Sequence, residues 1–503
     1  MILKSADYNN QMFKQVQDLM KEISNVKQDL KDTKLKHADE IRTLKLKHQK
    51  EIILLKEEIG AVKSENLKLK EENKLLKEDN DRMKKIINND SNNSSNPPSS
   101  DIKPNKKIPN NREKSGKKAG GQQGHKPYIL AKKEVEENIK SGKFEHKIET
   151  HGKPGKKYKS KYILDTKTVV VATEHRFYAD ENGKYNIPKE FQTDVQYGER
   201  LKTLCTVLSV EGYVATERVS NLVENITNGE INLSTGTVVN FLKEFNKKAK
   251  DTVETIKGKI LNATQIRTDA TGARAENRNC YVRNYSTADY TLLIASRGKS
   301  KKYIEETGIL NHYAGTIIHD HETVIYNYGL RHGECNVHVS RYLKGCMENT
   351  SHKWAKDMRS FLCCLNEYKK QLVLHGTKEL SKEKLEKYSR RYDEILELGV
   401  EENKTLKSKF YRLEEKRLLN RLKKYKENHL LFIYDFSVPF DNNLSERDLR
   451  HVKSKIKISG CFRSLEGLQN YLNVKSIIGT CKKKSINFYE TILNIFKKIP
   501  VSI

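Results

Sequence analysis

Nowhere does this chain of 503 residues hold the roughly 18 consecutive apolar residues that a membrane-spanning helix needs. Its start, MILKSADYNNQMFKQ, also lacks the apolar stretch of a secretory signal. Both absences predict a soluble, cytoplasmic protein with no membrane partner. Cysteine is sparse: the eight residues form no CxxC pair and follow no regular spacing. That pattern argues against a disulfide framework and a zinc ribbon, and predicts reduced thiols. Hydrophobic residues make up only 36%, which suits a globular core diluted by polar segments, and the length suits about three domains. Negative charge is in deficit as well. The 95 Lys and Arg against 66 Asp and Glu give +29 and a pI near 9.5, a field that favours a polyanion over a neutral small substrate. A lysine-rich proteome would produce the same excess, so charge alone does not decide the partner.

Proline is absent and glycine occurs once between residues 12 and 87, so residues 1–87 are expected to form one long helix. In its second half Ile52, Leu55, Ile59, Val62, Asn66, Leu69, Asn73, Leu76, Asn80, Met83 and Ile87 alternate steps of three and four. This heptad seam is buried only against a partner helix, so a coiled coil forming a homodimer or higher homo-oligomer is expected. Asn66, Asn73 and Asn80 fall at the a position, where amides trade stability for two-stranded register.

Residues 88–127 are too poor in apolar side chains to order themselves and read as a flexible basic linker. Between Lys103 and Lys126, Lys117 and Lys118 among them, lie eight cations and one Glu, able to neutralise DNA phosphates without reading bases. Residues 128–195 carry β-like runs such as TKTVVVATEHRFYA and are expected to form a small β-rich module. Residues 196–260 return to helical periodicity. There INLSTGTVVNFLKEF resembles the second half of a helix-turn-helix, with Ser234 or Thr235 as N-cap.

Beyond residue 260 the runs ATQIRTDA, NCYVRNYS, DYTLLIAS and AGTIIHD predict strands of a mixed sheet. Residues 341–430 read as a charged helical insertion. The apolar HLLFIYDF is read as a strand broken at Pro439, and residues 431–503 as a closing helical part. Asp269 and Asp320 are each expected to end a strand, where sheets present reactive groups. Glu446 lies near the start of a helix that Asp441 or Asn442 can cap. Three carboxylates on different elements can converge to hold Mg2+ (or Mn2+), whose hard character suits oxygen ligands and phosphoryl transfer. Strand-end turns, or a Glu446–Arg450 pair, would explain the same residues structurally. Arg447, Arg450, Lys453 and Lys457 recur every three or four residues, a stripe suited to DNA phosphates, with Arg463 beyond it.

Several stretches together resemble the transposases of the insertion sequence 66 family. They are SSNPPSSD (94–101), SGKKAGGQQGHKP (115–127), VQYGERLKTL (195–204), LSTGTVVNFL (233–242), TDATGAR (268–274), HYAGTIIHDHETVIYNYG (312–329), ECNVHVSRYL (334–343) and, strongest, VPFDNNLSERDLRHVKSKIKISGCFRSLEG (438–467). The resemblance implies an α/β, ribonuclease-H-like catalytic core in residues 261–340 and 431–503, with Asp269, Asp320 and Glu446 as metal-binding catalytic residues. Glu446 is preferred to its neighbours Asp435 and Asp441 because it matches the family's DNN-x-x-ER pattern. His338 matches a family histidine with an auxiliary role. Relatives carry cysteine pairs after the Gly-Gly-Gln segment, but residues 128–195 have none, so no zinc is expected. Ala270 stands where the family has Glu beside the first ligand. The resemblance further implies cleavage and strand transfer of DNA, possession of small accessory proteins and, when DNA is bound, a place on the nucleoid. The alternative is a non-catalytic DNA-binding regulator derived from a transposase.

Overall fold

A computed structural model of the chain describes residues 2–88, 130–151, 157, 159–189, 191 and 193–503. The expected linker, with Lys117, Lys118 and the two family stretches at 94–101 and 115–127, lies outside the described residues. The chain divides into two units, Met1–Asn88 with Lys407–Tyr411, and Asn89–Leu406 with Arg412–Ile503.

The first unit is dominated by α1 (Ile2–Asn88), 87 residues long. The whole heptad seam faces solvent, from Ile52 at 48% exposed to Met83 at 59%. Isolated helices draw most of their stability from packing an apolar face, and α1 leaves that face open.

In the second unit α2 (Lys132–Lys140) is capped through Glu134, whose carboxylate accepts from the Ala131 N–H at 2.8 Å. Among the described residues the expected β-rich module of 128–195 does not appear. From 141 to 198 the described residues hold only an isolated Ala179–Tyr185 bridge, and Val169 and Val171 are 63% and 78% exposed. A valine run makes a strand only where a neighbouring ladder and a buried face receive it, and none does here.

Four helices follow: α3 (Glu199–Val210), α4 (Thr216–Ile226), α5 (Thr235–Lys248) and α6 (Lys250–Leu261). Ser234 caps α5 by accepting from the Thr237 N–H at 3.0 Å, as its sequence position predicts. Cys205, Val219, Val223, Val238 and Phe241 make a small core between α3, α4 and α5.

The sheet comprises β1 (Gln265–Ala275), β2 (Arg278–Ser286), β3 (Thr291–Ser296), β4 (Thr316–His319) and β5 (Arg331–Glu334), in the order β3-β2-β1-β4-β5. The first three strands form an antiparallel meander; β4 and β5 add on in parallel. The β1–β2 turn is two residues, Glu276 and Asn277, both at positive φ, the combination a tight hairpin demands. Between β3 and β4 lies α7 (Lys301–Glu306).

Five helices then precede the Pro439 segment: α8 (Asn336–Thr350), α9 (Lys353–Leu374), α10 (Lys382–Thr405), α11 (Lys409–Lys424) and α12 (Lys426–Tyr434). Trp354, Met358, Leu362, Tyr392 and Leu422 form their core. HLLFIY ends α12 as helix, not as the expected strand. His429 to Ile433 are all buried, and a run buried on every side carries no period by which helix and strand differ.

The chain closes with α13 (Asn443–Ser459), α14 (Leu465–Lys483) and α15 (Phe488–Phe496). Leu449, Val452, Leu468, Leu472 and Ile477 from these helices join Phe245, Ile256 and Ile260 and the sheet residues Val282, Tyr285, Leu293 and Ile317 in the largest core. No helix among the described residues is long and apolar enough to cross a membrane.

Candidate functional site

The parallel ladder of β1 and β4 pairs Ile266 with Ile317 and Arg267 with Ile318. Continued by two residues, the same offset brings Asp269 level with Asp320, so the two carboxylates stand on neighbouring strands. Asp320 follows the last residue of β4, as expected, and His321 after it turns the chain in a left-handed conformation. Asp269 does not end its strand: β1 runs six residues further because the hairpin with β2 continues to Ala275↔Arg278. A short motif shows where a strand begins to read as one, but its length is set by its partner.

Glu446 lies in the first turn of α13. The Asp441 carboxylate accepts from the Asn443 N–H at 3.0 Å, and Asn442 reaches elsewhere: its amide donates to the Thr268 carbonyl at 2.9 Å. That bond fixes the start of α13 beside β1, one residue from Asp269. Two residues past Glu446, Asp448 accepts from Ser286 at 2.5 Å, Thr291 at 3.1 Å and Lys483 at 2.9 Å, which seats the helix on β2, β3 and α14.

His338, from the first turn of α8 and 7% exposed, links the carboxylates. Its Nε2 is 3.1 Å from Asp320 Oδ2 and 3.7 Å from Glu446 Oε1, while Nδ1 lies 3.3 Å from Cys335 Sγ and Arg341 approaches Nε2 at 3.2 Å. With Nε2 accepting from Arg341, the ring proton falls on Nδ1, toward Cys335 Sγ. Burial, with Arg341 and Arg421 nearby, holds the imidazole down to about 3, so the ring is neutral. Burial pushes Asp320 up to about 7, and repulsion from Asp269, Glu334 and Glu446 adds to it against the pull of Arg421. Burial also raises Asp269, opposed by the Ala270 N–H that its Oδ1 accepts at 2.7 Å, by Lys453 and by Lys299.

The acids around this trio behave differently. Glu322 takes a two-pronged contact from the 3%-exposed Arg283, at 2.9 and 2.6 Å. Glu334, buried at the end of β5, accepts from Arg421 at 2.7 Å and also contacts His321 and Tyr326. These contacts hold its carboxyl well below the usual range despite burial. Asp435, one rival for the third position, pairs with Arg331 at 2.7 Å and accepts from the Ser437 N–H at 3.0 Å. Asp448 has Lys483. Asp441, the other rival, has no Lys or Arg partner among the described residues and accepts from the Asn443 N–H. Asp269, Asp320 and Glu446 make no ion pair with Lys or Arg among the described residues; the alternative Glu446–Arg450 pair is not formed.

Sequence reading missed the acids Glu322, Glu334 and Asp448, and named Asn442 only as a possible cap. Each lay inside a quoted motif, in HDHET, ECNVHV and DNNLSERDL, yet nothing in the motif told a paired acid from an unpaired one. The residues of the predicted stripe, Arg447, Arg450, Lys453 and Lys457, with Arg463 past the helix, are all exposed and free of ion pairs among the described residues. The opposite face of α13 is buried through Leu449 and Val452.

Carboxylate oxygens suit a hard divalent cation, and two level aspartates whose charges repel present an electrostatic need for one. In this respect the residues fit a magnesium-type ion. Among the described residues, no three His, Cys, Asp or Glu side chains are grouped closely enough to hold a metal as they stand.

Residues 194–470 match the family model described as transposase IS66 family, more than half of the chain. Residues 37–128 match a family of unknown function, DUF6444. No curated protein matches.

Proposed function

The chain belongs to the IS66 family of transposases, and from that premise we propose that it cuts DNA at the ends of a mobile element and joins the freed 3′-hydroxyl to target DNA. The observation that carries this reading is the selective pairing of acids: Glu322, Glu334, Asp435 and Asp448 each have a Lys or Arg, while Asp269, Asp320 and Glu446 are left for another cation. Asp269 on β1 and Asp320 just past the neighbouring β4, with Glu446 on a helix tied to β1 through Asn442, support reading the core as ribonuclease-H-like and of the acidic-triad type.

These three residues would hold Mg2+ (or Mn2+). When bound, the metal supplies a lowered pKa for the attacking water or 3′-hydroxyl and charge stabilisation at the leaving oxygen. The protein's own part is positional. His338, whose Nε2 stands 3.1 Å from Asp320 and 3.7 Å from Glu446, sits between the two carboxylates and keeps them oriented toward one another. The free cations Arg447, Arg450, Lys453, Lys457 and Arg463 hold DNA phosphates beside the carboxylates, and Lys117 and Lys118 extend that role along the linker. The open seam of α1 pairs subunits as a two-stranded coiled coil, so that two element ends are held by one assembly.

The test is a strand-transfer assay with Mg2+, labelled DNA from the flanks of the gene, and the variants Glu446→Gln and Asp269→Asn. Joined products that vanish in both variants are expected. Binding without cleavage would instead support a regulator derived from a transposase.

A further inference from the structure

Away from the carboxylates, α5, α6 and α14 enclose a cleft of about 630 Å³ against β3. Lys243, Lys247, Lys250 and Lys257 line it, opposed by only Glu254 and Glu466. None of the four lysines forms an ion pair or hydrogen bond among the described residues, although Lys248 between them is satisfied by Glu244 at 2.8 Å and the Phe496 carbonyl at 2.7 Å. Like charges gathered in one concavity repel, and the fold has left four of them without an ion pair, against only two glutamates, while pairing their neighbour.

Part of the polar floor is already engaged. Asn246 donates to the Leu242 and Asn470 carbonyls at 2.8 and 3.1 Å and accepts from Asn473 at 2.8 Å. Gln469 accepts from the Ala295 N–H at 2.9 Å and donates to Asn473 at 2.7 Å. The side chains of Asn246, Gln469 and Asn473 are engaged with one another and with backbone and hold the walls of the cleft in place, which leaves the lysines as its main free polar groups. The apolar residues in the cleft, Val253, Leu292 and Ile294, are half-buried or buried. A concave surface with no protruding apolar side chain does not suit a bilayer.

We propose that this cleft is a second DNA site, one that grips the phosphate backbone of a duplex without reading its sequence. The inference rests on the transposase reading and deepens it: the DNA held here is a segment distinct from that at the carboxylates. It also moves the DNA contact of this helical region from the start of α5, where helix-turn-helix logic puts it, to its C-terminal half and α6.

The test measures binding of the full chain, without divalent metal, to a short duplex of arbitrary sequence across a salt series. Removing one lysine–phosphate interaction lowers the slope of log K against log salt by about 0.9. A variant with Lys243, Lys247, Lys250 and Lys257 all changed to Gln is expected to lose about 2 to 3.5 in slope and at least tenfold in affinity, equally for unrelated duplex sequences. A control variant with the exposed Lys356, Lys378, Lys382 and Lys387 changed to Gln carries the same charge change elsewhere. Should the fourfold cleft variant misfold, the pairs Lys243→Gln with Lys247→Gln and Lys250→Gln with Lys257→Gln replace it, each expected to show about half the drop in slope. An unchanged slope, a drop matched by the control, or a defect confined to anionic phosphatidylserine vesicles with duplex binding intact would each overturn the proposal. A wild-type chain that binds no duplex at all would instead remove the transposase reading beneath it.

Discussion

Replacing Asp448 by Ala should loosen the sheet more than any other single change on α13. The carboxylate accepts three hydrogen bonds, from Ser286, Thr291 and Lys483, and the two charged side chains are only 13% and 11% exposed. Breaking a buried pair from one side costs about 3–5 kcal/mol because the other charge stays behind. Lys483 is not wholly stranded, since it also donates to the carbonyls of Thr287 at 3.1 Å and Tyr290 at 3.0 Å, so the lower end, about 3 kcal/mol, is expected. Asp448→Asn keeps an acceptor and should cost about 1–2 kcal/mol. Hydrogen exchange at the β2 and β3 amides measures the effect locally, without requiring the whole chain to unfold in one step. With Lys483→Met the double-mutant coupling should be at least about 1.5 kcal/mol. A cost under about 1 kcal/mol for Asp448→Ala, with strict additivity, would refute the view that this pair seats the helix bearing Glu446.

In the helical part, Glu415 is 1% exposed and accepts from Trp354 Nε1 at 2.7 Å, Asn403 at 2.8 Å and His352 at 2.7 Å. Glu415→Ala should cost at least about 3 kcal/mol by leaving buried donors unmet, read from urea unfolding by the fluorescence of the single tryptophan. His429 is wholly buried, neither ring nitrogen has a hydrogen-bond partner, and burial holds it down to about 4. Below the unfolded value of about 6.5 only the unfolded chain takes up this proton, so stability present above that pH is lost as pH falls toward 4, by up to about 3 kcal/mol. His429→Leu should flatten that acid limb, and an unaltered pH profile would count against it. Paired Leu55→Asp and Leu69→Asp changes should abolish self-association in sedimentation equilibrium; a wild-type chain that is already monomeric would refute the coiled coil.

Periodic and local signals were legible before the structure: the length of α1, the four strand segments, the Ser234 cap, and the placing of Asp320 after a strand and Glu446 in a first helical turn. Each depends on residues within a few positions of one another. What was not legible depends on partners far away in the chain. TKTVVVATEHRFYA reads as strand and finds no ladder; HLLFIY reads as strand and is helix because other helices surround it. Asp269 reads as a strand end and sits mid-strand because β2 extends the pairing.

The same limit governs the acids, and it is the one that matters for function. On the sequence, the family resemblance alone set Asp269, Asp320 and Glu446 apart; no local signal distinguished them from Glu322, Glu334, Asp435, Asp441 and Asp448. The charged partners that separate them lie up to 104 residues off, as Arg331 does from Asp435, or on a strand, as Arg283 does for Glu322. A carboxylate removed from water without a counter-charge is costly, and here burial raises Asp269 and Asp320 rather than being relieved by an arginine. A fold optimised only for stability would have paired these two as it paired Glu322 and Glu334 beside them. That they stay unpaired, level on adjacent strands and braced by salt-bridged neighbours, is strain kept at one place, the condition under which an incoming cation and a phosphate backbone would gain most by binding.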